Sequence, residues 1–163
     1  MIKRTQKDLS DSVAEIVETV GKRRLAEVDP GAGLAEIITA FAGAEHSRLV
    51  YVVDHDRHLS GIISLGILSK HLLFHHHGPE IDNLHLMSMA MAETATDFID
   101  RPPISATLSE TIEPVLERML SAGIKELPVL DEQGRVVADL TLVDILSLCA
   151  EELLNEPLEP GKE

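Results

Sequence analysis

Apolar residues fall along this chain in two alternating periods, and the periods come back in the same order. Val13, Ile16, Val17 and Val20 recur at helical spacing behind Ser10, a suitable N-cap, and Gly21 can end that helix. Lys22, Arg23 and Arg24 follow and read as a solvated turn. LAEV then leads to a predicted helix around Gly33–Ala42, with Leu34, Ile37, Ile38 and Phe41 on one face. The strand LVYVV (49–53), the turn DHDRH (54–58) and the strand LSGIIS (59–64) come next. A helix starting at Leu65 carries Leu68, Leu72 and Leu73.

The second passage begins with PISA and a helix whose face is Ile112, Val115, Leu116 and Met119. With Thr111 as its cap, Pro114 falls in the first turn, where a missing N–H costs little. The strand LPVL (127–130), the turn DEQGR (131–135), the strand VVADLT (136–141) and a helix through Leu154 complete it. Setting Asp54 on Asp131 places Gly61 on Ala138, Ser64 on Thr141 and Ile67 on Asp144, an offset of 77. The offset slips by one residue between helix and first strand. This is an internal repeat. At roughly 50 residues neither copy can bury its sheet face alone, so the two are expected to pack as a pseudo-twofold pair.

Residues 69–97 join the copies. The first helix should run to about His77, break at Gly78-Pro79 and give way to a second helix near Asn83–Glu93, where Met87 and Met91 share a face suited to packing or a dimer seam. The expected division is therefore 10–77 for the first motif with its leading helix, 78–96 for a helical linker and 97–155 for the second motif. Residues 1–9 should fray and 156–163 form a loose tail.

Composition narrows the function. The chain of 163 residues is 44% hydrophobic, with no Trp, one Tyr and three Phe, so its core must be aliphatic. Base-stacking platforms are not available. Fourteen basic against 28 acidic residues give a formal charge of −14, a field that opposes nucleic acid and anionic membranes as partners but leaves room for a small anionic ligand held locally. Cys149 is alone, so no intrachain disulfide is possible, and it reads as a small core residue. Neither a signal core nor an apolar run of membrane-spanning length is visible, and the cytoplasm is the expected setting.

Two places carry candidate chemistry. In RVVADLTLVDIL a strand runs into a helix at Thr141, and Thr141 and Asp144 sit three apart. Hydroxyl, carboxylate and the free N–H groups of a helix start converge there, able to hold a phosphate and a ribose diol. The same spacing describes a capping box, and the two roles are compatible. His71 and His75, at i, i+4 on one helix, could share a metal ion, with His76, His77 and His85 near in sequence. A solvated histidine patch at a helix C-terminus, or a pH-sensitive linker, explains them as well. No nucleophile elbow, phosphate-loop glycine pattern or HExxH is present, so catalysis has little support.

The paired strands LVYVVD and LPVLDEQGRVV, the corners GIISLGIL and ADLTLVDIL, and the opening DFIDRPPISATLSETI together resemble the tandem CBS-domain (Bateman) module over residues 10–154. The resemblance implies an α+β pair of CBS motifs acting as a regulatory sensor, not an enzyme. Its cleft would bind AMP, ADP, ATP or S-adenosylmethionine. It implies Asp144 for the ribose hydroxyls and Thr141 and Lys125 for phosphates. Asp100 to Ile104, with Pro103 among them, would line the adenine pocket. It also implies a homodimer read by a separate effector protein. Ile67 stands where the ribose-binding acid is expected, so one competent site per chain follows. Asp139, beside Ala138, is expected to turn a negative charge toward the phosphates and to weaken ATP more than AMP. The alternatives are an interaction dimer with an empty cleft and a His-rich metal-responsive protein.

Overall fold

The computed structural model describes residues 9–44, 46–77, 92–99 and 102–155. Their order is α1 (Val13–Val20), β1 (Glu27–Val28), α2 (Leu34–Gly43), β2 (Leu49–Val53), β3 (Leu59–Ser64) and α3 (Leu65–His77), then a short 3-10 helix (Ala95–Phe98), β4 (Ala106–Thr107), α4 (Ile112–Ala122), β5 (Glu126–Leu130), β6 (Val136–Thr141) and α5 (Leu142–Asn155). Each copy forms a three-stranded mixed sheet: β1-β2-β3 in the first, β4-β5-β6 in the second. Both copies bulge at the same place, between Val52 and Val53 and between Val129 and Leu130.

The turns between the long strands meet on the pseudo-twofold axis. Leu59 N–H donates to the Gly134 carbonyl (3.3 Å) and Val136 N–H to the Arg57 carbonyl (3.1 Å), two bonds that the offset of 77 exchanges. In each turn one aspartate folds the backbone over itself. Asp54 Oδ1 accepts from the N–H of Asp56 and His58, and Asp131 Oδ1 from the N–H of Gln133 and Arg135, all at 2.9 Å. Tyr51, Val53 and Val136 fill the space between the sheets.

The segments leading into each copy are exchanged. Helix α1 precedes the first repeat but buries Val13 and Ile16 in the second core, with Ile112, Val115, Met119, Leu127 and Leu140. Its start is tied there by Val13 N–H to the Glu110 carbonyl (2.8 Å) and Ile112 N–H to the Asp11 carbonyl (3.0 Å). The 3-10 helix that precedes the second repeat buries Ala95 and Phe98 in the first core, with Ile37, Val50, Val52 and Ile63. Ala95 N–H donates to the Ala32 carbonyl (2.8 Å). The two leaders start alike, because Glu15 accepts the Ser12 N–H (2.8 Å) and Asp97 the Thr94 N–H (2.9 Å).

Several local expectations need correcting. Ser12, not Ser10, caps α1, because only Ser12 has an acid three residues on to complete a capping box. On α2 Ile37 is buried while Ile38 is 43% exposed. On α3 the inward face is Ile67, Leu68 and His71, and Leu72 and Leu73 are 44% and 53% exposed. Of the three leucines expected on one face of α3, only Leu68 therefore packs inward, and Leu72 and Leu73 lie on the outer face. Arg23 leaves the solvated turn assigned to it and is paired, as described below. The expected helix near Asn83–Glu93, Met87, Met91 and the 156–163 tail lie outside the described residues, apart from the exposed Glu93 and its neighbour Ala92.

Gly61 shows why the copies are not interchangeable. A Cβ there would stand 2.4, 2.7 and 2.9 Å from Ile99 Cδ1, Cγ1 and Cγ2, whereas the second copy accommodates Ala138. Gly61→Ala is expected to lower stability by about 1–3 kcal/mol through overpacking, and Ala138→Gly by about 1 kcal/mol or less. Paired urea denaturation curves check the order, and equal losses would contradict it.

Candidate functional site

Symmetry builds the site from matched residues. The Arg48 carbonyl accepts the Leu65 N–H and the Lys125 carbonyl the Leu142 N–H, both at 2.9 Å, so the same strand-to-helix corner is closed twice. In the first corner Ser64 Oγ accepts the Ile67 N–H (3.2 Å), and Ile67 itself is buried in the first core. In the second, Thr141 Oγ1 accepts the Asp144 N–H (3.2 Å). Asp144 Oδ2 in return accepts the N–H (2.9 Å) and the hydroxyl (2.7 Å) of Thr141. The capping box of the sequence reading is therefore real.

It also faces open space. Both corners border one cavity of about 800 Å³, lined by Ser64, Leu65 and Gly66 from the first copy and by Thr141, Leu142, Val143 and Asp144 from the second. That volume falls within the roughly 300–1,000 Å³ typical of small-molecule sites. Lys125 lines the cavity, and its symmetry mate Arg48 lines it too. Neither side chain has an ion-pair partner among the described residues. Ile104 lines the wall, but Pro103 does not and Pro102 does. Successive residues of an extended segment face opposite ways, so Pro102 and Ile104 border the cavity while Pro103 between them does not. Asp100 lies outside the described residues.

The charges are arranged differently from the expectation. Arg23, from the connection between α1 and β1, places its guanidinium on both carboxylate oxygens of Asp144, with Nη1 3.1 Å from Oδ2 and Nη2 against Oδ1. Nη1 also lies 3.6 Å from Asp139 Oδ1. Asp139 is buried, is gripped from its other side by His46 Nε2 at 2.6 Å, and does not line the cavity. The acid that does, besides Asp144, is Glu126. Burial pushes the Asp144 carboxyl up, but hydrogen bonds from Arg23 and Thr141 outweigh it and leave the group below the ordinary aspartate range. Glu126 ends up raised, because burial outweighs the hydrogen bonds it receives. Those come from the Arg48 N–H (2.9 Å), the Ser47 hydroxyl and the Tyr51 hydroxyl (3.3 Å), so Glu126 stitches the second copy to the first.

His71 does not stand in a solvated patch. It is 2% exposed and meets the Phe98 ring edge-on at 5.0 Å between centroids. The side chain of His75 lies outside the described residues, and no group of three metal-ligating side chains forms among those described. Of the residues that sequence reasoning missed, Arg48 had a signal, its place at offset 77 from Lys125. Glu126 had a weaker one, a charge at a buried strand position where the first copy has Leu49. Arg23 had none.

A match to the CBS domain family model covers residues 13–73 and 95–151. The chain belongs to the CBS domain family and is a tandem CBS pair of the α+β class. Many solved structures share this fold, three of them as follows. A CBS domain pair in complex with 5′-methylthioadenosine and S-adenosyl-L-methionine is 21% identical (TM-score 0.66), over 87% of this chain and 98% of that one. CBSX2 in complex with AMP is 17% identical (TM-score 0.67), over 87% and 98%. A CBS domain-containing protein from Thermotoga maritima is 24% identical (TM-score 0.67), over 92% and 99%. A comparison with curated proteins found no match. Among the described residues no helix is long and apolar enough to cross a membrane.

Proposed function

We propose that this chain is a cytoplasmic, non-catalytic regulatory module that binds one adenosine-type ligand, AMP, ADP, ATP or S-adenosylmethionine, in the cavity on its pseudo-twofold axis. The observation that carries the reading is the cavity itself, bordered by a carboxylate and a hydroxyl at one corner and by Arg48 and Lys125 across the axis. In this reading Asp144 accepts the ribose hydroxyls, Thr141, Lys125 and Arg48 face the phosphate, and Pro102 and Ile104 offer an apolar wall to the adenine. Two of the solved structures named above, one with AMP bound and one with 5′-methylthioadenosine and S-adenosyl-L-methionine, support the ligand class. The buried Ile67 supports a single site per chain, since the first corner has no acid to offer a diol. Leu65, Leu72, Val143 and Leu146 leave apolar area exposed on α3 and α5, which supports a homodimer whose geometry a separate effector protein reads. For binding to become a signal, the ligand must favour one arrangement of the copies over another.

The rival is a scaffold with an empty cleft, and the engagement of Asp144 by Arg23 is what favours it. Titration calorimetry with AMP, ATP and S-adenosylmethionine separates the two. Saturable heat with one site per chain for at least one ligand is expected. Silence with all three would leave the scaffold.

A further inference from the structure

Asp144 is already doing for Arg23 what it is proposed to do for a ribose. A carboxylate offers about four acceptor positions. Here Oδ2 takes the Thr141 N–H, the Thr141 hydroxyl and Arg23 Nη1, and Oδ1 takes Arg23 Nη2. The guanidinium presents two parallel N–H groups to the carboxylate, the arrangement in which two vicinal hydroxyls also donate. A diol that engages both carboxylate oxygens therefore has to displace Arg23. The pair is well shielded, with side chains 22% and 8% exposed, so breaking it without replacement is unfavourable.

We propose that Arg23 is an internal occupant of the ribose position that ligand displaces, and that the freed guanidinium then makes the site select nucleotides carrying an anionic group over uncharged nucleosides. This rests on the nucleotide reading above. Asp139, 3.6 Å from Nη1, holds the displaced side chain at the cavity wall rather than releasing it to solvent. There it joins Arg48 and Lys125, and three cations face one space. A phosphate re-pairs the guanidinium that the diol unseated. A neutral nucleoside breaks the pair and gives nothing back.

The test is calorimetry with AMP and with adenosine on wild type, Arg23→Ala and Arg23→Lys, with melting curves recorded for each. Wild type is expected to bind AMP at least about thirtyfold more tightly than adenosine. In Arg23→Ala adenosine should gain roughly five- to tenfold while AMP stays level or weakens, so the two affinities converge. Arg23→Lys preserves the charge and guards against a folding failure. Without the two-pronged grip it should improve adenosine by about threefold or more and hold AMP within about threefold. A purely structural Arg23 predicts losses for both ligands in both variants, and that result would overturn the proposal. So would an unchanged AMP-to-adenosine ratio, which leaves the nucleotide reading standing. If wild type binds neither AMP nor adenosine this proposal fails, and the nucleotide reading fails with it only if ATP and S-adenosylmethionine are silent as well.

Discussion

Replacing Ile16 with alanine is expected to lower the unfolding free energy by about 3–4 kcal/mol. Ile16 is fully buried, and its neighbours are not those of the repeat it precedes but Ile112, Met119, Leu127 and Leu140 of the other one. Removing its side chain beyond Cβ leaves a hole between a helix and a sheet. The backbone bonds of Val13 and Ile112 fix α1 against that sheet, so it cannot slide inward to close the gap. For a chain of this size each kcal/mol is worth about 2–4 °C, so the melting temperature should fall by roughly 6–16 °C. Leu120, 63% exposed on α4, supplies the control, and Leu120→Ala should stay within about 0.5 kcal/mol of wild type. Equal shifts for the two variants would mean that α1 does not belong to the second core. Because each leader completes the opposite copy, heat should also unfold both copies in one transition.

Asp144→Ala carries the largest expected effect on binding. Hydrogen bonds to a charged acceptor are worth about 1.5–3 kcal/mol each, and two ribose hydroxyls stand to lose theirs. Part of that gain is spent displacing Arg23, so a net loss of about 2–3 kcal/mol is expected, a factor of roughly 30 to 150 in the AMP dissociation constant. The fold should survive, because Arg23 keeps Asp139 within reach and the helix loses one cap, worth about 1 kcal/mol. Thr141→Val removes the hydroxyl but keeps the carboxylate, and should cost AMP about tenfold, since the hydroxyl holds Asp144 in place and is proposed to face the phosphate. Titrations of the two variants beside wild type check the order Asp144→Ala, then Thr141→Val.

What the sequence disclosed and what it hid divide along the range of the interaction. The strands, their turns and both corners were readable because an aspartate folding its own turn and a threonine capping its own helix act over a few residues. The repeat added long-range information of one kind, the symmetry axis, and the bridge of His58 with Arg135 at offset 77 lies on it. The exchange of leaders was not readable, since Val13 and Ile16 show an apolar stripe without saying which core receives it. Arg23 escaped for the same reason: its partner is 121 residues away, and three consecutive cations look solvated in any local window. The α3 face was misread because Leu72 and Leu73 outweigh the inward His71 in any count of apolar positions, and the outer surface of this helix is itself apolar. Asp139 was assigned to the ligand because its strand runs into the corner. His46 and Arg23, both distant in sequence, turn it away.

The central claim is that Asp144 receives a ribose diol in the axis cavity. Calorimetric titration of AMP and 2′,3′-dideoxy-AMP into wild type and into Asp144→Ala addresses that contact and no other. The account predicts that wild type binds the dideoxy compound roughly 30-fold or more less tightly than AMP, and that Asp144→Ala no longer tells the two apart. Equal affinity of wild type for both compounds would contradict it.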